Sequence, residues 1–241
     1  MRKCKKIWFG TIAIFMIFAL ESCTKSNRTI QRMQRMEENV GSPTTEAELK
    51  DAIKKYQDRI ADIQLADAQV GIWYKMLAVR YLDAKMYGEA LKNFQIALQY
   101  YPNNQNLYYY LGVCASFMSN TKIGIGEQGE QESYLKMAED AFLRVLAIEP
   151  NHAKALYSLG VLYVWDLKQF DKAIPLLETL VSTQKKDASA KAALAAAYFG
   201  NADYEKSVAM YDEIISSTQN AQTKREAEAN RQIVLDTAYA K

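Results

Sequence analysis

The feature that most constrains this chain is a small residue set directly behind a leucine inside an apolar run, and repeated along the sequence. In "ALYSLGVLY", residues 155–163, Leu156, Leu159, Leu162 and Tyr163 share one helical face, yet Gly160 interrupts the run. A glycine there costs about 1 kcal/mol relative to alanine, so close packing must offset it. The pair returns as Leu111 and Gly112 in "LYYYLGVCASF", and as Leu77 with Ala78 and Leu194 with Ala195 in two further stretches. Such recurrence predicts helix pairs whose backbones approach along their small residues. Only 10 glycines and 4 prolines in 241 residues, of which 49% are hydrophobic, agree with an all-α chain and no sheet.

The four stretches share more than that pair. The first carries Leu77, Tyr81, Ala90, Phe94, Ala97 and Pro102, and the second Leu111, Gly112, Ala138, Phe142 and Pro150 around an insertion. The third has Leu159, Gly160, Tyr163 and, one residue late, Ala173; the fourth has Leu194, Tyr198 and Tyr211, with Ser207 in the small slot and no closing proline. Together they resemble the tetratricopeptide repeat (TPR), W-x2-L-G-x2-Y, then A-x3-F, then P, over about 34 residues. The resemblance implies a TPR solenoid of about four helix-turn-helix repeats over residues 71–219. Its divisions fall at 71–104, 105–152 with an insertion at 119–132, 153–187 and 188–219, with Gly160 and Ala173 letting one helix pair close up. Residues 44–70 read as an N-terminal helix, opened by Thr44 or Thr45 as N-cap and running to about Ala66, and residues 220–241 as a polar capping helix.

The start of the chain has a different character. "MRKCKK" is a basic head, and the 14 uncharged residues from Ile7 to Leu20 are too short for a comfortable span of about 20 residues but suit a secretory signal. The following "LESC", Leu20 to Cys23, resembles the lipobox of bacterial lipoproteins, although Glu21 stands where a small residue is usual. By that resemblance residues 1–22 are a signal peptide, Cys23 is the lipidated residue, and residues 23–43 form a lipidated tether. An uncleaved anchor, or an ordinary secreted protein with a chance cysteine, is the alternative. Two or three acyl chains would hold such a protein stably on a leaflet, because each buried methylene contributes about 0.8 kcal/mol. Without Arg2, Lys3, Lys5, Lys6 and Glu21 the formal charge of +2 falls to −1. With no basic stripe either, nucleic acid is not an expected partner.

Motifs for chemistry are sparse. Cys114 sits in an apolar helical run and reads as a small buried residue, while the only histidine, His152, falls in a turn with nothing to complete a triad. The insertion contains Gly124, Gly126 and Gly129 in G-x-G-x-x-G spacing, but no strand precedes it, so it reads as a loop rather than a nucleotide site. No catalytic group, metal site or cofactor is therefore expected. The family's carboxylate clamp is incomplete: Lys75 and Lys154 fall in matching slots, but Val79, Tyr110 and Ser158 occupy the others.

Transferring the family's inward slots to this sequence gives an aromatic and apolar trough. Ile72, Lys75, Val79 and Leu82 come from the first repeat, and Asn106, Tyr109, Val113 and Phe117 from the second. The later repeats add Lys154, Tyr157, Val161, Val164, Trp165, Ala196 and Phe199. Partner binding is assigned to Lys75, Leu82, Asn106, Tyr109, Phe117, Lys154, Tyr157, Val161, Trp165 and Phe199, since exposed apolar patches rich in Tyr and Trp mark interaction sites. The competing possibility is that the C-terminal helix folds back and fills the trough with Ile233, Val234 and Leu235. The resulting expectation is a membrane-anchored, non-catalytic scaffold in the bacterial cell envelope. Its partner would be a protein such as a transporter's solute-binding protein or a member of an envelope assembly complex. Binding of a hydrophobic small molecule or lipid in the same groove is the second expectation.

Overall fold

A computed structural model describes residues 45–121 and 128–239. The signal segment, Cys23, the tether at 23–43 and the insertion glycines Gly124 and Gly126 lie outside the described residues. Every regular element among the described residues is helical, in keeping with the all-α expectation. In chain order these are α1 (Glu46–Asp83), α2 (Tyr87–Tyr100), α3 (Gln105–Thr121), α4 (Gln128–Ile148) and α5 (Ala153–Val161). A π-helical turn (Leu162–Asp166) continues α5, and α6 (Phe170–Thr183), α7 (Ala188–Gly200), α8 (Tyr204–Ser217) and α9 (Ala221–Tyr239) follow.

The chain divides into two compact units, residues up to Gln64 and residues from Leu65 to Lys241. In the described part of the first, Thr45 opens α1 with a reciprocal capping box: its N–H donates to Glu48 Oε2 at 3.1 Å, and the Glu48 N–H donates to Thr45 Oγ1 at 3.2 Å. Leu49, Ile53, Ile60 and Ile63 stay exposed along this segment.

One difference from the sequence reading appears at once. A helix ending near Ala66 is expected, but α1 runs unbroken to Asp83 and merges with the first helix of the first repeat. No proline lies in that stretch, and Gly71, the one poor helix former, is fixed by packing. A Cβ on Gly71 would lie 2.5 Å from Tyr100 Cβ, and the adjacent Tyr101 hydroxyl donates to the Ala68 carbonyl at 2.7 Å. The insertion differs too. Ser119 and Thr121 close α3 and Gly129 lies inside α4, so its described ends are helix rather than loop.

Within the second unit the core follows the repeated pattern. Phe94, Phe142, Leu159, Leu177 and Leu180 are buried to 1% exposure or less. The glycines sit where helix pairs approach most closely. A Cβ on Gly112 would come 2.7 Å from the Phe142 ring, and one on Gly160 2.6 Å from Leu177. The residue facing Gly160 is thus Leu177, one helical turn beyond the expected Ala173. Ser207, in the fourth repeat's small slot, is fully buried and donates its hydroxyl to the Ala195 carbonyl at 2.8 Å.

Helix starts alternate in kind. The first helices of repeats two, three and four are capped by side chains: Asn104 Oδ1 accepts from Leu107 N–H, His152 Nδ1 from Ala155 N–H, and Asp187 Oδ1 from Ser189 and Ala190 N–H. The second helices α2, α6 and α8 have no side-chain cap and are entered through a turn with one left-handed residue, Lys85, Lys168 or Ala202. In each turn the repeat tyrosine's carbonyl accepts the closing bond, from Met86 N–H to Tyr81, Gln169 N–H to Tyr163 and Asp203 N–H to Tyr198, all at 2.8 Å.

A second, lateral register joins successive repeats. The Tyr163 hydroxyl donates to Glu139 at 2.8 Å while Lys172 stands 5.4 Å from its ring centre. In the next repeat Tyr198 donates to Glu178 at 2.5 Å beneath Lys206 at 5.2 Å. Burial, and then the accepting carboxylate, push both phenols well above the ordinary tyrosine range. The C-terminal helix α9 packs on α8, burying Ala227 and Val234 beside Tyr211 and Ile214, and Arg231 pairs with Asp212 at 2.6 Å.

Candidate functional site

The candidate surface begins with a one-residue irregularity. From leucine to small residue the first and fourth repeats run Leu77 to Ala90 and Leu194 to Ser207, whereas the third runs one residue longer, Leu159 to Ala173. The extra residue is absorbed by the π-helical turn, where Leu167 N–H reaches back to the Leu162 carbonyl at 3.0 Å. The insertion is local, because Tyr163 still meets Glu139 on one side and Lys168 still supplies the left-handed turn on the other. What shifts is the direction of the last side chains. Val164, expected in the trough, turns into the core at 3% exposure, while Trp165 stays exposed.

This turn closes one end of a pocket between α3 and α5, with a cavity of about 200 Å³. Val113 and Phe117 from α3, Tyr157 and Val161 from α5, and Phe142 beneath them form the apolar wall. Ser116, Asn120, Ser158 and Asp166 add polar groups. Phe117 is held by stacking on Tyr87, with ring centres 4.3 Å apart and planes 10° apart. Asp166, exposed at the pocket's edge, is its one charged wall residue; partial desolvation raises its pKa above the ordinary carboxylate value, and Lys168 only partly opposes this.

The structure thus gathers Phe117, Tyr157 and Val161 of the ten assigned residues into one pocket and leaves the others outside it. Tyr109 is half-buried among the rings of Tyr110, Phe142 and His152, at 5.5, 6.0 and 5.7 Å. Leu82 packs partly into the core, and Lys75, Asn106, Lys154 and Trp165 are exposed. Phe199 belongs to the separate apolar cluster of the last repeat, in tilted contact with Tyr204 at 5.9 Å. Of the three C-terminal residues proposed to fill the trough, Val234 is buried in that same cluster and Ile233 is 56% exposed. No residue of α9 lines the pocket between α3 and α5.

Sequence reasoning missed Asp166, Asn120 and Ser116. The family's slots do not cover the ends of its helices, but the late Ala173 was a usable signal, since one extra residue inside a helix must reorient those that follow. Cys114 is fully buried, and burial pushes its thiol up to about 12, which fits a packing role. Among the described residues no cluster of His, Cys, Asp and Glu could hold a metal ion, and no helix is long and apolar enough to cross a membrane.

The helix pairs, their small-residue contacts and the groove between first helices define the fold as a TPR solenoid, an architecture whose repeats mediate protein–protein interaction. The tetratricopeptide-repeat family model matches residues 164–225. A TPR repeat-containing protein of Borreliella burgdorferi is 25% identical over 95% of this chain and 98% of its own. Among solved structures, YrrB, a TPR protein with an unusual peptide-binding site, is 19% identical with a TM-score of 0.56, covering 83% of this chain and 97% of that one. MamA from Desulfovibrio magneticus RS-1 is 21% identical with a TM-score of 0.53, covering 71% and 97%. At these identities the likeness to the two solved structures is one of fold.

Proposed function

We propose that this protein is a non-catalytic scaffold, anchored to a bacterial envelope membrane through lipid on Cys23, whose groove between α3 and α5 holds a segment of a partner protein. The observation that carries the reading is the pocket itself. Phe117, Tyr157 and Val161 offer apolar surface with few rotors, beside polar groups that can orient a bound chain. YrrB, with the same fold, is described by a peptide-binding site. At about 200 Å³ the cavity falls below the roughly 300–1,000 Å³ of small-molecule sites, which favours a side chain of a larger partner over a free hydrophobic ligand. The wall holds one carboxylate and two serine hydroxyls, and no imidazole stands beside them to act as a base.

The test has two arms. Cys23→Ser should abolish acyl labelling and release the protein from membranes; unchanged labelling would refute the anchor. Phe117→Ala and Tyr157→Ala should each weaken capture of the wild-type partner by about 1–4 kcal/mol in affinity while moving the thermal midpoint little. Unaltered capture in both variants would place the docking surface elsewhere.

A further inference from the structure

We infer that the pocket between α3 and α5 receives an arginine side chain from an extended segment of the partner, with Asp166 as its counter-charge and the Phe117 and Tyr157 rings flanking its stem. The inference rests on the scaffold reading and names the chemistry of the partner.

Asp166 is the single charge on an otherwise apolar and hydroxyl-bearing wall. Among the described residues no hydrogen bond or ion pair engages its carboxylate, whereas Glu139 accepts from Tyr163 and Asp212 pairs with Arg231. Asp166 is exposed at the edge of the pocket in the free protein, where it is open to an incoming cation, and partial desolvation raises its pKa. Its position is no accident of a loose loop, because the π-helical turn that carries it is closed by the Leu167–Leu162 bond and followed by the Gln169–Tyr163 bond, which has counterparts in the first and fourth repeats. Turns of this kind cluster at functional sites.

Size and shape select the side chain. A cavity of about 200 Å³ accommodates one long residue rather than a whole drug-sized ligand. Phe117, stacked on Tyr87 through one face, and Tyr157 supply rings against which a planar guanidinium can pack, while Asp166 and Asn120 on the same wall offer a carboxylate and an amide oxygen to its fork of donors. Lysine would satisfy Asp166 alone. An apolar side chain would bury the carboxylate without a partner, which is the costly outcome.

The test uses Nα-acetyl-arginine methylamide as probe, titrated into the full chain and followed by backbone amide shifts, with the lysine and norleucine analogues in parallel. The arginine probe should shift residues 113–120 and 157–166 and bind at least about tenfold more tightly than the norleucine probe. Asp166→Asn, which preserves shape, should remove that preference and leave the thermal midpoint unchanged. Equal binding of the norleucine probe, an arginine preference that survives Asp166→Asn, or no shift with any probe would each overturn the inference. The scaffold reading is tested separately, because a partner whose capture falls with Tyr157→Ala yet ignores Asp166→Asn would sustain it while refuting the arginine.

Discussion

Gly160 shows how one missing methyl sets the distance between two helices. Its costs are local, about 1 kcal/mol of helix propensity, and its gain is the Leu177 side chain packed against the space a Cβ would fill. Gly112 repeats the arrangement with Phe142. Gly160→Leu should therefore destabilise by several kcal/mol in chemical denaturation, through overpacking against a residue that is itself fully buried. Gly129→Ala, at a helical site with open space around it, should leave stability unchanged or raise it by up to about 1 kcal/mol. Equal losses in both would deny the interhelical role. The glycine's purpose was legible from its recurrence, but its partner was not: which side chain enters the gap depends on how far one helix slides along the other, and periodicity does not encode that.

At the scale of elements, two devices shape the later repeats, one between repeats and one within the third. One is the tyrosine clasp, in which Tyr163 and Tyr198 each donate to a carboxylate of the preceding repeat beneath a lysine of their own. Both phenols titrate above their unfolded value of about 10. A raised folded pKa contributes stability that is complete below the unfolded pKa and lost as pH climbs through the folded one, so the protein should weaken above about pH 10. The Tyr163→Phe, Tyr198→Phe double variant should lose less between pH 9 and 11 in urea midpoint than the wild type, at about 25 °C; a parallel decline would exclude the clasp as the cause. The other device is the π-helical turn. Sequence spacing marked its extra residue through Ala173, yet the choice between a longer loop and a widened helical turn was settled by the bonds that Tyr163 makes on both sides. The continuity of α1 was illegible for a related reason. Gly71 is a poor helix former, and the packing of Tyr100 into the space its missing Cβ leaves is not encoded in local sequence.

For the molecule as a whole, the repeat array was readable because four stretches obey one spacing rule, and a rule repeated in register leaves few folds to choose among. The trough was readable only in outline. Inherited slots identify which helices face inward, whereas the pocket depends on the third repeat's one-residue departure from the spacing of the first and fourth. The C-terminal helix, with Val234 committed to the last repeat and Arg231 to Asp212, leaves the pocket between α3 and α5 free of α9 side chains. The central claim is that this groove is where a partner docks. Its most direct test is site-specific photocrosslinking in intact cells, with a benzophenone amino acid replacing Trp165 beside the pocket or Lys136 on the exposed face of α4. Position 165 should yield a discrete protein adduct that Tyr157→Ala suppresses, and position 136 should yield none. No adduct from position 165, or the same adduct from both positions, would contradict the account.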